Sequence, residues 1–309
     1  MKCHSWGAVA LLAAGIIFLG CAGGSNRTAR TAVPTFERHY DAGYTRRVAL
    51  GVFQAPPTPL GRESADYLMQ SVAQTLRTQV PRLQLLTAGQ TPSVNAAIDR
   101  LHTEPIDVAV RHWRSDGYQG IVALALLDLR LETKKTGALW FRKARHFIQF
   151  EAVIDLYDPN TGAKLMSDVA ELSLKISAED YDSLQSGSQT RLADLDEQLL
   201  DLADDFGDKA AEALQDHPWQ TTIIRMDAQR IVLAAGRLAG VQPGDRLAVY
   251  NGRRWVEGAA GKFVLPGIKI AEIQIEQVDD NQAIAKAIST DAVKPGDIAM
   301  PVRPERDAR

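Results

Sequence analysis

Ile121-Val122-Ala123-Leu124-Ala125-Leu126-Leu127-Asp128-Leu129-Arg130-Leu131-Glu132 opens as an unbroken apolar run and closes in strict alternation. An unbroken run suits a strand buried on both faces, while alternation suits a strand with one core side and one wet side. The stretch reads as one strand, with Leu127, Leu129 and Leu131 turned to a core and Asp128, Arg130 and Glu132 turned to water. Ile148, Phe150, Ala152, Ile154 and Leu156 repeat the pattern against Gln149, Glu151, Val153, Asp155 and Tyr157. Leu172, Leu174 and Ile176 repeat it again against Glu171, Ser173 and Lys175, after a turn at Asp158-Pro159-Asn160-Thr161-Gly162. Three antiparallel strands in sequence follow from this.

Helices flank that core. Upstream, Arg47 to Phe53 is a short β-rich run stopped by Pro56, Pro57 and Pro59, and Ala65, Leu68, Met69, Val72, Ala73 and Leu76 then recur at helical spacing between about Arg62 and Gln79. Leu83 to Leu86 reads as a second strand, Ser93 as the cap of a short helix carrying Val94, Ala97, Ile98 and Leu101, and Ile106 to Trp113 as another helix ending before Gly117. Downstream, Leu192, Leu195, Leu199, Leu202, Phe206, Ala210 and Ala213 form one stripe of a long helix from about Ser188 to Gln215. Its opposite side carries Asp194, Glu197, Asp201, Asp204 and Asp208, a solvated face rather than a calcium site, because calcium needs oxygens converging from a compact turn.

After His217-Pro218 the helical period stops, and short strands with glycine turns take over. Trp219 to Arg225, Arg230 to Ala234, Arg246 to Tyr250, Gly261 to Val264, Ile268 to Val278 and Gln282 to Ile288 read as strands of a small barrel or sandwich. Pro243-Gly244-Asp245 and Pro295-Gly296-Asp297 repeat one pattern, in which Pro sets the first angle, Gly permits a positive φ and Asp caps the turn.

The amino terminus decides where such a chain works. Lys2, an apolar run from Ala8 to Leu19, Gly20 and then Cys21 resemble a bacterial lipoprotein signal, with Phe18 where Leu is usual. The resemblance implies cleavage before Cys21, lipid on its sulfur and, with Ala22 rather than Asp next, transfer to the outer membrane on its periplasmic face. The apolar run is too short to span a bilayer. Cys3 is the other cysteine, so the mature body is expected to lack disulfides and thiol chemistry. The expected division is a signal peptide at 1–20, a tether at 21–46, an α/β domain at 47–217, a β domain at 218–303 and a polar tail at 304–309.

A net charge of −3 gives no reason to expect nucleic acid as a partner. No two mature histidines, among His39, His102, His112, His146 and His217, stand four apart, so no zinc spacing exists, and no cofactor is expected. Gly236, Gly240 and Gly244 lack the Lys-Ser/Thr ending of a phosphate loop, and no Gly-x-Ser-x-Gly elbow occurs. Carboxylates distant in sequence can still meet in a fold, which leaves an enzyme site open. The basic connection between the first two strands carries Lys134, Lys135, Trp140, Phe141, Arg142, Lys143, Arg145 and His146. It is either a partner-binding or membrane-touching tip, or a solvated loop whose aromatics fold back onto the sheet.

The stretch from Ile231 to Tyr250 resembles the last domain of the flagellar assembly protein T family, which implies an SH3-like barrel. Arg47 to Gln215 is similar in pattern to that family's middle domain, to the amino-terminal domain of TolB, to the curli secretion lipoprotein and to lipoprotein activators of penicillin-binding proteins. The fold expected is thus a TolB-N-like mixed sheet with helices, followed by an SH3-like all-β barrel. The resemblance implies a non-enzymatic, membrane-anchored assembly protein with envelope or flagellar partners, and the flagellar basal body is the leading machine. A curli-type channel subunit and a peptidoglycan synthase activator are the alternatives, and a second copy of the chain stays open as a partner.

Overall fold

The computed structural model describes residues 43–302, apart from 90, 138, 139, 141, 228, 229, 259, 260 and 289–292. In its first half, the chain runs β1 (Arg46–Gln54), α1 (Pro59–Gln79), β2 (Leu83–Thr87), α2 (Pro92–Thr103), α3 (Ile106–Asp116), β3 (Gly120–Thr136), β4 (Lys143–Tyr157), β5 (Lys164–Ile176), α4 (Ala178–Ser186) and α5 (Ala193–Asp216). The strands form one mixed sheet in the order β2-β1-β3-β4-β5. β1 is parallel to both neighbours, whereas β3, β4 and β5 are antiparallel, as their alternation and short turn require.

One sheet face is covered by α1 and α5. Leu68, Val72 and Leu76 from α1 and Leu199, Phe206 and Ala210 from α5 pack on Val122, Leu124, Ile154 and Leu156. α1 begins where Thr58 accepts a hydrogen bond from Gly61 N, with Pro59 in the first turn where no donor is needed. At the β1 end of the other face, Val94, Ile98, Val110 and Trp113 of α2 and α3 cover Ala49 and Ile121. The rest of that second face, across β3, β4 and β5, has no helix over it among the described residues and carries Asp128, Arg130, Glu151 and Glu171 together with Val153 and Val169.

Leu127 departs from expectation. It is 37% exposed, while Leu126 is 1% exposed, because the β3–β4 register shifts between Leu126 and Asp128. The extra residue of a β-bulge reverses the parity of the strand. Val122, Leu124 and Leu126 therefore face the helices before it, and Leu129 and Leu131 face them after it. The change from continuous to alternating apolarity in the sequence is the signature of that bulge.

Other boundaries also shift. Thr91, not Ser93, precedes α2, with Pro92 in the first turn, and the Ser93 hydroxyl instead meets the Tyr118 hydroxyl at 3.1 Å. The long helix starts at Ala193 rather than near Ser188. Before it, α4 is a separate short helix, in which Ser177 Oγ accepts from Asp180 N and Gly187, at φ 74, ends the helix.

The second half forms β6 (Thr221–Asp227), β7 (Arg230–Leu233), β8 (Arg246–Tyr250), β9 (Arg254–Gly258), β10 (Gly261–Leu265), β11 (Lys269–Val278), β12 (Ala283–Ala287) and β13 (Ile298–Pro301). Six of these close a barrel in the order β11-β12-β7-β6-β13-β8, and β9 and β10 make a hairpin outside it. The repeated Pro-Gly-Asp turns lead into β8 and β13, which pair with each other. Gly244 and Gly296 sit at φ +95 and +91, and Asp245 and Asp297 accept the backbone N–H of Gln242 and Lys294 at 2.9 and 2.8 Å, closing each turn as the residue order requires.

Candidate partner-binding site

β3 and β4 outrun their neighbours. β1 leaves β3 at Ala125, and β5 meets β4 only from His146 onward, so Thr133–Thr136 and Lys143–Arg145 stand as a two-stranded projection. The basic connection is thus shorter than its sequence suggested: Lys134, Lys135, Lys143, Arg145 and His146 lie in the strands. Arg142 and Trp140 lie in the turn, and Phe141 falls outside the described residues.

Directly opposed residues of an antiparallel pair share a face. One face of the projection carries Thr133 with His146 and Lys135 with Ala144; the other carries Glu132 with Phe147, Lys134 with Arg145 and Thr136 with Lys143. At its base the ring of His146 packs on Tyr181 of α4 at 4.4 Å, and Lys134 pairs with Glu132 at 3.3 Å over the Phe147 ring. Lys135, Arg142, Lys143 and Arg145 form no ion pair among the described residues. Trp140 is 90% exposed, so it does not fold back onto the sheet.

β3 and β4 have 17 and 15 residues against the roughly 9–11 a membrane crossing needs, but only Thr133–Thr136 and Lys143–Arg145, the projection itself, stand clear of the sheet. Its chemistry is different: both faces of the tip carry cations, and a lipid-facing strand side must be free of charge. What this arrangement can do is present unneutralised ammonium and guanidinium groups, together with an indole, to an acidic and partly apolar partner surface.

Carboxylates distant in sequence do meet. Asp128, Glu151 and Glu171 stand side by side across β3, β4 and β5 on the uncovered face. They border a hollow of about 290 Å³ shared with Arg130, Gln149 and Ser173. The row is wet. Asp128 is 47% exposed and salt-bridged to Arg130 at 3.3 Å, whereas a general acid needs desolvation to hold its proton.

A buried charged cluster lies between sheet and barrel, in the turn after β4. The Asp158 carboxylate is fully buried and accepts from Asn160 N at 2.8 Å, Gln220 Nε2 at 2.7 Å and the Thr161 hydroxyl, with His217 Nε2 at 3.5 Å. Burial pushes this carboxyl up, but His217 and the bonds from Thr161 and Asn160 outweigh it and hold it below the usual range. Arg114 Nε donates to the Asn160 carbonyl at 2.5 Å and the guanidinium lies 5.3 Å over the Trp255 ring. Burial lowers Arg114 to about 10 against the opposing charge of Asp158. The Asp158 carboxylate is held by several donors while Arg114 keeps one buried nitrogen without a hydrogen-bond partner, and the cluster ties the turn to the start of the barrel as a structural joint. In the sequence these residues had registered only as a turn and a domain boundary.

Cys21, the residue expected to carry lipid, lies outside the described residues. The acidic face of α5 is exposed, with Lys209 bridging Asp205 and Asp168 at 2.6 Å each. Among the described residues no group of three His, Cys, Asp or Glu side chains is arranged to hold a metal ion. No helix among them is long and apolar enough to cross a membrane.

No family model matches this chain, and no curated protein matches it. Solved structures similar to it include a minor lipoprotein from Acinetobacter baumannii, at 10% identity over 54% of this chain and 93% of that one, with a TM-score of 0.29. Lipoprotein GNA1162 from Neisseria meningitidis is similar at 12% identity over 47% of this chain and 94% of that one, with a TM-score of 0.27. TolB from Acinetobacter baumannii is similar at 12% identity over 81% of this chain and 62% of that one, with a TM-score of 0.28.

Proposed function

We propose that this protein is a lipid-anchored, non-enzymatic component of a cell-envelope machine, held by Cys21 at the periplasmic face of the outer membrane, and that the β3–β4 projection is where it grips its partner. The observation that carries this reading is Trp140 at 90% exposure beside the unpaired Lys135, Arg142 and Lys143. An exposed indole among unneutralised cations has no stabilising role within the chain, and Trp and Arg are the side chains that dominate contact energies. We favour the flagellar basal body as the machine, on the likeness of Ile231–Tyr250 to the last domain of the flagellar assembly protein T family. The sheet half and the barrel half, divided at 217/218, correspond in this reading to TolB-N-like and SH3-like modules.

The test uses a photo-crosslinking residue in place of Trp140 in living cells, with mass spectrometry of the adduct. A flagellar or other envelope protein is the expected adduct. Recovery of no protein adduct, together with normal motility in a Trp140→Ala/Lys135→Glu/Arg142→Glu variant, would remove the tip from the mechanism. Normal flagella in a deletion strain would remove the flagellar assignment, and a peptidoglycan synthase as adduct would replace it. Cys21→Ser is expected to abolish lipid labelling and processing.

A further inference from the structure

We propose that β5 is a second interface, at which two copies of this chain join edge to edge through residues 170–176, antiparallel about Ser173, so that their two sheets become one. β5 is the last strand of an open sheet and has 13 residues, long for an exposed edge. Among the described residues, the main-chain groups of Leu165–Lys175 have no hydrogen-bond partner outside β4. Such a row of free donors and acceptors is a template for another strand.

Charges on an edge ordinarily block self-pairing, because a copy brings like against like. Centring the pair on Glu171 would oppose two carboxylates, and centring it on Lys175 would oppose two ammonium groups. Centring it on Ser173 does the reverse. Each Glu171 then faces the other copy's Lys175, each Leu172 faces Leu174, and Ala170 faces Ile176, with the two serines meeting on the axis. That register also keeps both apolar sides together, because Ala170, Leu172, Leu174 and Ile176 all lie on the helix-covered face. Glu171 and Lys175 make no ion pair within the chain among the described residues. Glu171 also sits beside Glu151 and Asp128 in the carboxylate row, so a partner's lysine would relieve a like-charge contact that the single chain leaves standing.

The purified full chain in detergent is expected to sediment as a dimer in analytical ultracentrifugation. Glu171→Lys or Lys175→Glu alone replaces two attractive contacts by two repulsive ones and is expected to weaken the dimer by about tenfold or more. The Glu171→Lys/Lys175→Glu double variant restores opposite charges and is expected to recover the wild-type constant. Ser173→Cys is expected to form a disulfide-linked dimer on oxidation above the wild-type baseline, whereas Ser167→Cys, on the far half of the strand, is not. Circular dichroism confirms that each variant is folded. A monomeric wild type up to its solubility limit overturns the proposal, and so does a dimer indifferent to both charge reversals that Ser173→Cys fails to trap.

Discussion

Asp158 carries more of the stability of this fold than its place in a surface-type turn suggests. Its carboxylate holds the Asn160, Thr161 and Gln220 donors, so Asp158→Ala leaves Asn160 N and the Thr161 hydroxyl buried without their acceptor and Gln220 Nε2 with His217 alone, and is expected to cost about 3–5 kcal/mol at neutral pH, measured by urea unfolding. The folded carboxyl titrates below its unfolded value of about 3.9, so its charge stabilises above that value and ceases to do so as pH falls through the folded one. The gap between wild type and Asp158→Ala is therefore expected to narrow from pH 7 to pH 3. An unchanged gap would mean that the charge contributes nothing. Asp-Pro-Asn-Thr-Gly announces a turn because each residue type has a local reason to be there. Gln220, 62 residues away, has no local signature tying it to Asp158.

At the scale of elements, neighbouring leucines of one strand are expected to behave oppositely. Leu126 is packed under the helices, so Leu126→Ala should cost about 2–5 kcal/mol. Leu127 is the bulged residue, and Leu127→Ser should stay within about 0.5 kcal/mol by the same urea titration. A large loss at Leu127 would mean that the strand runs without a bulge. β4 was legible because period two over its length has one interpretation. The bulge in β3 was not, because an apolar run fits either face. Three other elements carry no readable period: α4 buries no residue fully, β9 lies outside the barrel with Trp255 turned toward Arg114, and β13, a barrel strand, has only four residues. The tip was legible as basic and aromatic, but its extension beyond β1 and β5 depends on where those strands stop.

Across the whole molecule, the boundary at His217-Pro218 is visible as a change of period, yet the two sides are not independent. Tyr44, next to β1, stacks on Trp219 at 4.4 Å, and Trp219 Nε1 donates to the Thr45 carbonyl at 3.3 Å. Thr45 N donates to the Ala239 carbonyl at 2.9 Å, Arg46 to the His217 carbonyl at 2.8 Å, and the Thr222 hydroxyl to Asn160 at 2.9 Å. Opening this joint exposes an aromatic pair and several buried polar groups at once, so neither half gains by unfolding alone. A single calorimetric transition is therefore expected for the wild type, with equal calorimetric and van't Hoff enthalpies. Trp219→Ala removes the aromatic contact at the joint and is expected to cost about 3–5 kcal/mol. Because Trp219 packs in the barrel core as well as at the joint, the loss falls on the barrel and on its coupling to the sheet, so it should also split the transition in two, the barrel melting first. Two transitions already present in the wild type, or one shifted but unsplit transition in Trp219→Ala, would show that the halves are coupled by something other than this joint.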